Sequence, residues 1–289
     1  MKEKTGIYVP LITPFQENGE VDYDGLAKAT KFVLESGADG IYALGGSSEF
    51  CMLSVEERKR CLEVIIANAG DAEVIAHVGS TSTKDAVELA KHAEKAGACM
   101  LSAVAPYYFG YTFAQVKEYF HQIAHATKLN LMMYSAAQAR SYTFKEIKEI
   151  LNDEKITAVK YTGCDYYMLE RLITACPNVE FYTGSDEMFI CGQAVGAHGA
   201  IGLTYNFNAD KLIACKKLFQ VGKNAEALAL VHKINGMVEG ILSVGNLIAA
   251  TKYMMTLQGL EISSNARQPF TPLSDGDKAL LKKAYEENK

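Results

Sequence analysis

The chain has 289 residues, of which 49% are hydrophobic and 22% are charged, and its formal net charge is −5. This length and composition allow a large buried core in one or two domains. The mildly acidic balance, without basic runs, argues against a nucleic-acid partner. No apolar run approaches the roughly 20 residues that span a bilayer. Since no signal peptide precedes Gly6, we expect a cytoplasmic protein with no membrane partner.

The seven cysteines and six histidines are scattered along the chain. The cysteine count is odd and no CxxC pair occurs, which favours reduced thiols over a disulfide framework or a zinc site. The histidines do not cluster in the sequence either. We therefore expect no metal ion and no cofactor.

Short β-rich runs alternate with amphipathic helical stretches along most of the chain. In chain order, the predicted strands are 7–12, 40–44, 74–78, 99–104, 129–134, 157–160, 179–183 and 200–203. The predicted helices that follow them are 23–35, 55–69, 83–95, 112–126, 143–152, 165–176, 186–195 and 209–219. Parallel strands need such crossover helices, and eight strand–helix units are the number that closes a barrel. The predicted fold class is α/β, a (β/α)8 TIM barrel.

Three more helical stretches, at about 224–240, 243–259 and 275–287, follow the eighth unit. No linker rich in serine, proline or glycine separates them from the barrel. We therefore predict a barrel over residues 1–220 and a C-terminal helical extension over 221–289. The extension is expected to pack on the barrel as part of the same structural unit.

Lys160 and Tyr134 end two neighbouring predicted strands, at the barrel edge where active sites lie. The apolar run that ends at Lys160 begins at Ile156, and the one that ends at Tyr134 begins at Asn130. An ammonium at the end of a buried strand is poorly solvated, so its free amine becomes available at neutral pH. Such an amine forms a Schiff base with a ketone, and a nearby tyrosine can move the required protons. The alternative is a surface lysine that follows a strand.

A Gly-Gly-Ser-Ser run at Gly45, Gly46, Ser47 and Ser48 follows the second predicted strand. Its backbone amides and two hydroxyls suit a carboxylate, which a small α-keto acid carries. The alternative is an ordinary flexible loop between a strand and a helix.

Together, the strand-end residues and this loop resemble the dihydrodipicolinate synthase / N-acetylneuraminate lyase family of class I, pyruvate-dependent aldolases. The segments that carry the resemblance span nearly the whole chain, at 9–15, 37–41, 53–58, 159–162 and 269–274. The resemblance implies that Lys160 carries the pyruvate imine and that Tyr134 is the general acid/base. It also implies that Tyr108 reaches into a neighbouring subunit's site and that the chain forms a homotetramer, a dimer of dimers.

Within the family, two regions are similar to the sialic acid lyase branch. By this resemblance, Gly184, Asp186 and Glu187 bind the polyhydroxy tail of a sugar acid, because carboxylates accept hydrogen bonds from vicinal hydroxyls. Thr162 matches a lyase threonine, and the segment 202–206 is closer to the lyase pattern than to the synthase pattern. From position alone, the two carboxylates could instead complement the dipole of a helix N-terminus.

Several positions in the expected substrate pocket depart from the family pattern. Gly46 stands where the family has a hydroxyl residue, Ser48 where it has glycine, and Leu203 where the lyases have a sugar-binding serine. Ala139 stands where the synthases have a carboxylate-binding arginine, and Arg140 follows it. These changes affect substrate recognition more than imine chemistry.

Three functions remain open from the sequence. The first is a lyase that cleaves N-acetylneuraminate or a related 2-keto-3-deoxy sugar acid to pyruvate and an aldehyde sugar. The second is a synthase of the 4-hydroxy-tetrahydrodipicolinate type, which condenses pyruvate with an aldehyde. The third is a barrel that binds a keto acid or sugar acid without catalysis. Lys160 and Tyr134 favour catalysis, and the lyase-like segments favour the first reaction.

Overall fold

The computed structural model describes residues 5–289 and contains an eight-stranded parallel sheet in which each strand pairs with its sequence neighbours. The strands are β1 Tyr8–Pro10, β2 Gly40–Ala43, β3 Glu73–His77, β4 Met100–Val104, β5 Leu131–Ala136, β6 Ile156–Thr162, β7 Glu180–Thr183 and β8 Gly199–Ala200. A parallel bridge between Ile7 and Ala200 joins the last strand to the start of the first. The sheet therefore closes into a barrel, which confirms the predicted (β/α)8 fold.

Helices connect the strands and follow the barrel. They are α1 Tyr23–Glu35, α2 Val55–Asn68, α3 Thr83–Ala96, α4 Phe113–Ala124, α5 Phe144–Ile150, α6 Tyr166–Ala175, α7 Phe189–Ala194, α8 Tyr205–Gln220, α9 Asn224–Ser243, α10 Leu247–Leu257 and α11 Asp275–Asn288. Helices α2, α4, α5 and α11 each begin with a capping box, which satisfies two backbone amides at the helix start. Helix α3 ends at Gly97, whose φ of 102° favours glycine.

The alternation of side chains along the strands places one set of residues inside the barrel. This interior cluster consists of Tyr8, Tyr42, Ile75, Met132, Ala158, Tyr182 and Ile201. Tyr134 lies two residues after Met132, and Lys160 lies two residues after Ala158, so both continue these inward-facing rows. Their side chains therefore lie toward the carboxyl ends of the strands, where barrel active sites are found.

Some strand ends differ from the prediction. Strands β5 and β6 continue two residues beyond Tyr134 and Lys160, because Ala136 still pairs with Thr162. The two residues that were expected at strand ends thus lie inside their strands. The sequence signal failed here because the polar residues that follow each apolar run remain part of the ladder.

The first and last strands are shorter than predicted. The Leu11 amide still donates to the Tyr42 carbonyl at 3.3 Å. Asn206 holds the chain on either side of it, since it donates to the Pro10 carbonyl at 2.9 Å and accepts from the Ile12 amide at 3.2 Å. After Ala200 the chain soon turns into α8, which begins at Tyr205, four residues earlier than predicted. The eighth unit is therefore mostly helix.

The helices of the C-terminal region pack against one another and against the barrel. Helix α9 contacts α8, α10 contacts both α8 and α9, and α11 packs on α9 and α10. Within residues 5–289, no helix combines the length and the apolar character needed to cross a bilayer.

Candidate active site

Lys160 lies inside the barrel, with only 5% of its surface exposed. Its Nζ lies 4.4 Å from the ring centroid of Tyr42 and 4.4 Å from that of Tyr134. Burial lowers the pKa of Lys160, and electrostatic interactions with Tyr134 and Asp186 oppose this effect only in part. The geometry and the direction of this pKa shift fit the poorly solvated amine expected from the sequence.

Tyr134 faces Lys160 across neighbouring strands, because the two residues are direct partners in the β5–β6 register. The Tyr134 ring packs edge-on against Tyr42 and His77, with a centroid distance of 6.2 Å in each contact. Tyr42, which the sequence analysis missed, is itself fixed by a hydroxyl contact of 2.9 Å with Ser102 Oγ. A phenol and a reactive amine therefore share one rigid pocket.

His77 is a second buried residue that the sequence analysis missed. Its Nδ1 lies 2.9 Å from the Leu44 carbonyl, and its Nε2 accepts a hydrogen bond from the Val104 amide at 3.2 Å. Burial, and then the charge of Arg58, lower the pKa of His77 well below its usual range. The ring is therefore neutral, with its proton on Nδ1, and it connects the ends of β2, β3 and β4. A lone histidine at the end of an apolar run was its only sequence signal.

The β2–α2 loop, residues 44–54, contains the Gly-Gly-Ser-Ser run and begins with a 3-10 turn over Gly46–Ser48. The buried Ser48 hydroxyl donates to the Leu11 carbonyl at 2.5 Å, so this side chain anchors the loop to the end of β1. Thr13 strengthens the anchor by donating from Oγ1 to the Ser48 carbonyl at 3.0 Å. Gly46 is exposed, and an added Cβ would meet no heavy atom of residues 5–289 within 4 Å.

A buried ion pair supports the β2–α2 loop from the C-terminal helices. Glu49 Oε1 lies 2.7 Å from Lys252 Nζ of α10, and the exposed fractions of the two side chains are 1% and 0%. The second oxygen of Glu49 accepts from the Arg267 amide at 2.7 Å. Burial lowers the pKa of Lys252 to about 8, although Glu49 opposes the shift. Each carboxylate oxygen of Glu49 thus has a partner, and these contacts fix the residue in its left-handed conformation, with φ of 58°.

Gly184 and Thr162 lie directly beside Lys160. A Cβ added at Gly184 would lie 2.0 Å from Thr162 Oγ1 and 3.3 Å from Lys160 Cε, so this position requires glycine. Thr162 Oγ1 is buried and has no hydrogen-bond partner among residues 5–289. A buried hydroxyl without a partner next to the amine can bind a polar group of a ligand.

Asp186 and Glu187 differ in environment although they are adjacent. Asp186 is buried and accepts a hydrogen bond from the Thr204 amide at 2.6 Å, close to the start of α8. Burial raises the pKa of Asp186 to about 6, against the opposing effects of Thr204 and Lys160. Glu187 is exposed. The predicted helix over 186–195 is divided into a 3-10 turn over Asp186–Met188 and α7, and the contact that Asp186 makes is with the start of another helix, α8.

Tyr108 lies outside the cluster around Lys160. It is 89% exposed, its φ is 85°, and its ring packs on Phe109 with a centroid distance of 4.9 Å. An exposed aromatic pair of this kind is typical of a surface that meets another molecule.

Arg140 and Leu203 occupy two of the positions that depart from the family pattern. Arg140 donates to the Tyr111 carbonyl at 2.9 Å and to Glu146 Oε1 at 2.8 Å, so its guanidinium fixes the loop before α5. Leu203 is partly buried and packs against the main hydrophobic core. The Nε atom of Arg140 is buried and has no hydrogen-bond partner among residues 5–289, and Leu203 carries no polar side-chain atom.

The fold and this cluster define a (β/α)8 barrel with a buried lysine and a tyrosine at its mouth, an arrangement suited to Schiff-base chemistry. The chain belongs to the Dihydrodipicolinate synthetase family, which it matches over residues 3–288. This membership confirms the family expected from the sequence.

Named relatives and solved structures agree with this family assignment. The chain is 38% identical over 275 residues to N-acetylneuraminate lyase of Actinobacillus pleuropneumoniae, an alignment that covers 94% of each chain. Its structure is similar to that of CdNal from Clostridium difficile in complex with mannosamine, with a TM-score of 0.95, 32% identity and 100% of both chains covered. It is also similar to N-acetylneuraminate lyase of Fusobacterium nucleatum complexed with pyruvate, with a TM-score of 0.92 and 33% identity over 100% and 99% of the two chains.

Proposed function

We propose that the protein is a class I aldolase that cleaves N-acetylneuraminate, or a closely related 2-keto-3-deoxy sugar acid, to pyruvate and an aldehyde sugar. The observation that carries the proposal is the buried Lys160 amine directly opposite Tyr134. The ligands of two related structures, pyruvate and mannosamine, support it, because a keto acid and an amino sugar are the two kinds of product.

The reaction begins when the substrate ketone condenses with Lys160 and releases water to form an iminium ion. Backbone amides of the β2–α2 loop and the Ser47 hydroxyl hold the carboxylate. Tyr134 accepts the proton of the hydroxyl beyond the scissile carbon–carbon bond. The bond breaks, its electron pair enters the iminium as an enamine, and the aldehyde sugar leaves. Protonation and hydrolysis then release pyruvate and regenerate the lysine.

The sugar tail is proposed to lie along β6, β7 and the start of α8. Thr162 offers its unpartnered hydroxyl there, and Gly184 leaves the space that a side chain would fill. Asp186 and Glu187 accept hydrogen bonds from the tail hydroxyls. Leu203 supplies an apolar contact at this end of the pocket, where the lyase branch has a serine.

A synthase reaction with a carboxylated aldehyde is less well supported. It would need a cation for the carboxylate of the aldehyde, and Arg140 is the sequence candidate. In the structure, the Arg140 guanidinium is held by Glu146 and by the Tyr111 carbonyl. We therefore rank sugar-acid cleavage above condensation with a short acidic aldehyde.

The assembled enzyme is proposed to be a cytoplasmic homotetramer, a dimer of dimers, in which Tyr108 of one subunit completes the site of its neighbour. The exposure of Tyr108 supports this role. We also propose that residues 1–220 and 221–289 form one structural unit, because the Glu49–Lys252 pair joins the barrel loop to α10.

Borohydride trapping with pyruvate tests the proposal. Intact mass should show a single reduced pyruvate adduct on the wild type and none on Lys160→Ala, since Lys160 is the amine that forms the imine. Lys148→Ala is a matched control, because Lys148 is exposed on α5 and should leave the adduct unchanged. Pyruvate release from N-acetylneuraminate should be lost only in Lys160→Ala. A folded Lys160→Ala protein that still forms the adduct or turns over would disprove the assignment, and a folded wild type without an adduct would identify a non-catalytic binder.

A further inference from the structure

Two histidines and an aspartate lie together on the outside of the barrel and take no part in the proposed reaction. His121 lies in the last turn of α4 and His125 is its C-cap residue, one turn later, so their rings share a face of the helix and have a centroid distance of 4.3 Å. Asp153, in the turn between α5 and β6, contacts both: Oδ2 lies 2.9 Å from His121 Nδ1, and Oδ1 lies 3.1 Å from His125 Nε2. The sequence-based expectation that the histidines do not cluster is wrong for this pair, because residues four apart share one face of a helix, and the fold brings a distant aspartate to them.

The backbone around this His121–His125–Asp153 cluster is fixed on both elements. The Asp153 carboxylate accepts a hydrogen bond from the Lys155 amide at 3.0 Å, and the Asp153 carbonyl accepts from the Ile156 amide at 2.9 Å. The His125 amide donates to the His121 carbonyl at 3.0 Å, which continues the α4 pattern to its last turn. Three potential ligands are therefore held together before any ion binds.

No lysine or arginine side chain of the described residues competes with the two histidines for the Asp153 carboxylate. Among residues 5–289, no side-chain nitrogen of a lysine or arginine lies within 4.0 Å of the Asp153 carboxylate, whereas Lys117 on the same face pairs with Glu149 at 2.9 Å. A groove of about 460 Å³ beside Asp153 has room for water ligands.

We propose that His121, His125 and Asp153 bind a divalent transition-metal ion of the zinc type. Two imidazole nitrogens and a carboxylate oxygen suit Zn²⁺, Co²⁺ or Ni²⁺ better than Mg²⁺ or Ca²⁺, which prefer oxygen ligands alone. The three ligand atoms lie within 4.8 Å of one another. Small side-chain rotations can bring them to metal–ligand distances of roughly 2.0–2.2 Å, with water completing the coordination.

The bound ion would join the end of α4 to the α5–β6 turn. Each histidine binds in its neutral form, so its proton lies on the ring nitrogen that does not face the ion. Because the folded protein binds the ion and the unfolded chain lacks the arranged site, metal should raise the unfolding temperature.

Titration with Co²⁺ tests the site, since its absorption spectrum separates nitrogen and oxygen ligands from thiolates. The separation matters because Cys51, Cys99 and Cys164 are exposed. The wild type should bind one equivalent with ligand-field bands and no thiolate-to-cobalt charge-transfer band. Zn²⁺ should displace the Co²⁺ and raise the unfolding temperature.

Variants locate the ligands. His121→Ala, His125→Ala and Asp153→Asn should each weaken Co²⁺ binding by at least about 10- to 100-fold, the range seen even for residues that only support metal ligands. His92→Ala is the matched control, because His92 also pairs with a helix carboxylate, Glu63, at 3.0 Å but has no second histidine. It should bind like the wild type. Unchanged affinity in the His121→Ala/His125→Ala double variant, a thiolate band, or the absence of saturable binding by the wild type would overturn the proposal.

Discussion

Tyr134 and Tyr161 lie on adjacent strands but on opposite faces of the barrel wall. Tyr134 contacts the Lys160 ammonium, whereas the Tyr161 hydroxyl donates to the Asp165 carbonyl at 3.2 Å outside the barrel. We expect Tyr134→Phe to keep the borohydride-trapped pyruvate adduct but to lower kcat for pyruvate release by about 10²- to 10⁴-fold, because it removes general acid/base catalysis. Steady-state kinetics and intact mass measure the two effects.

Tyr161→Phe is the control for that change, since it removes the same oxygen from a neighbouring residue. Its kcat should stay close to that of the wild type. If Tyr134→Phe and Tyr161→Phe turned over equally fast, Tyr134 would have no role in proton transfer, and the base would have to be another group in the pocket.

Gly46 offers the opposite test, the addition of a side chain. Its surroundings are open, so the departure from the family hydroxyl residue has no steric cause. We expect Gly46→Ser to lower the KM for pyruvate in the aldol direction by a factor of roughly 2 to 12, which corresponds to a new hydrogen bond of about 0.5–1.5 kcal/mol to the bound carboxylate. An unchanged KM in Gly46→Ser would show that residue 46 does not face the carboxylate.

Gly184→Ser should instead abolish activity, because its Cβ would collide with Thr162.

The connection between α10 and the β2–α2 loop depends on one buried ion pair. Removing a single partner leaves the other charge buried, so Lys252→Met or Glu49→Gln should lower the free energy of unfolding by about 3–5 kcal/mol. The double variant should cost less than the sum of the two single changes. Lys28→Met is the control, because the Lys28–Glu261 pair is exposed and should contribute at most about 1 kcal/mol. Urea denaturation measures all four variants, and strictly additive costs would contradict the coupling.

That ion pair also shows what the sequence could and could not predict. The strand–helix alternation and the family motifs were sufficient for the barrel and for placing Lys160 and Tyr134 on neighbouring strands, because these depend on local patterns. Glu49 and Lys252 are 203 residues apart, and only the complete fold brings them together. One signal was present: Lys252 is the single charged residue in the apolar sequence of α10, and a buried charge requires a partner. No local pattern marked Glu49 as that partner.

Considered as a whole, the molecule has an unusual aromatic projection next to its barrel mouth. Tyr108 and Phe109 are 89% and 68% exposed, and Tyr108 adopts a left-handed backbone conformation that is uncommon for a residue with a side chain. Large exposed aromatic side chains are characteristic of subunit interfaces. We therefore expect a homotetramer in which this segment is covered, and sedimentation analysis should show four chains in the wild-type particle.

Mixing subunits tests whether Tyr108 acts in a neighbouring site. Tyr108→Phe should assemble normally, because the ring remains, yet it should lose most of its activity if the hydroxyl completes the partner's proton path. Lys160→Ala subunits are inactive for the separate reason that they lack the amine. When the two variants are dissociated together and reassembled, sites that combine an intact Lys160 with the partner subunit's Tyr108 should recover activity, which neither variant shows alone. Activity can recover only if one active site contains residues from two subunits. Mixed tetramers that remain as inactive as their parents would place the role of Tyr108 within its own subunit.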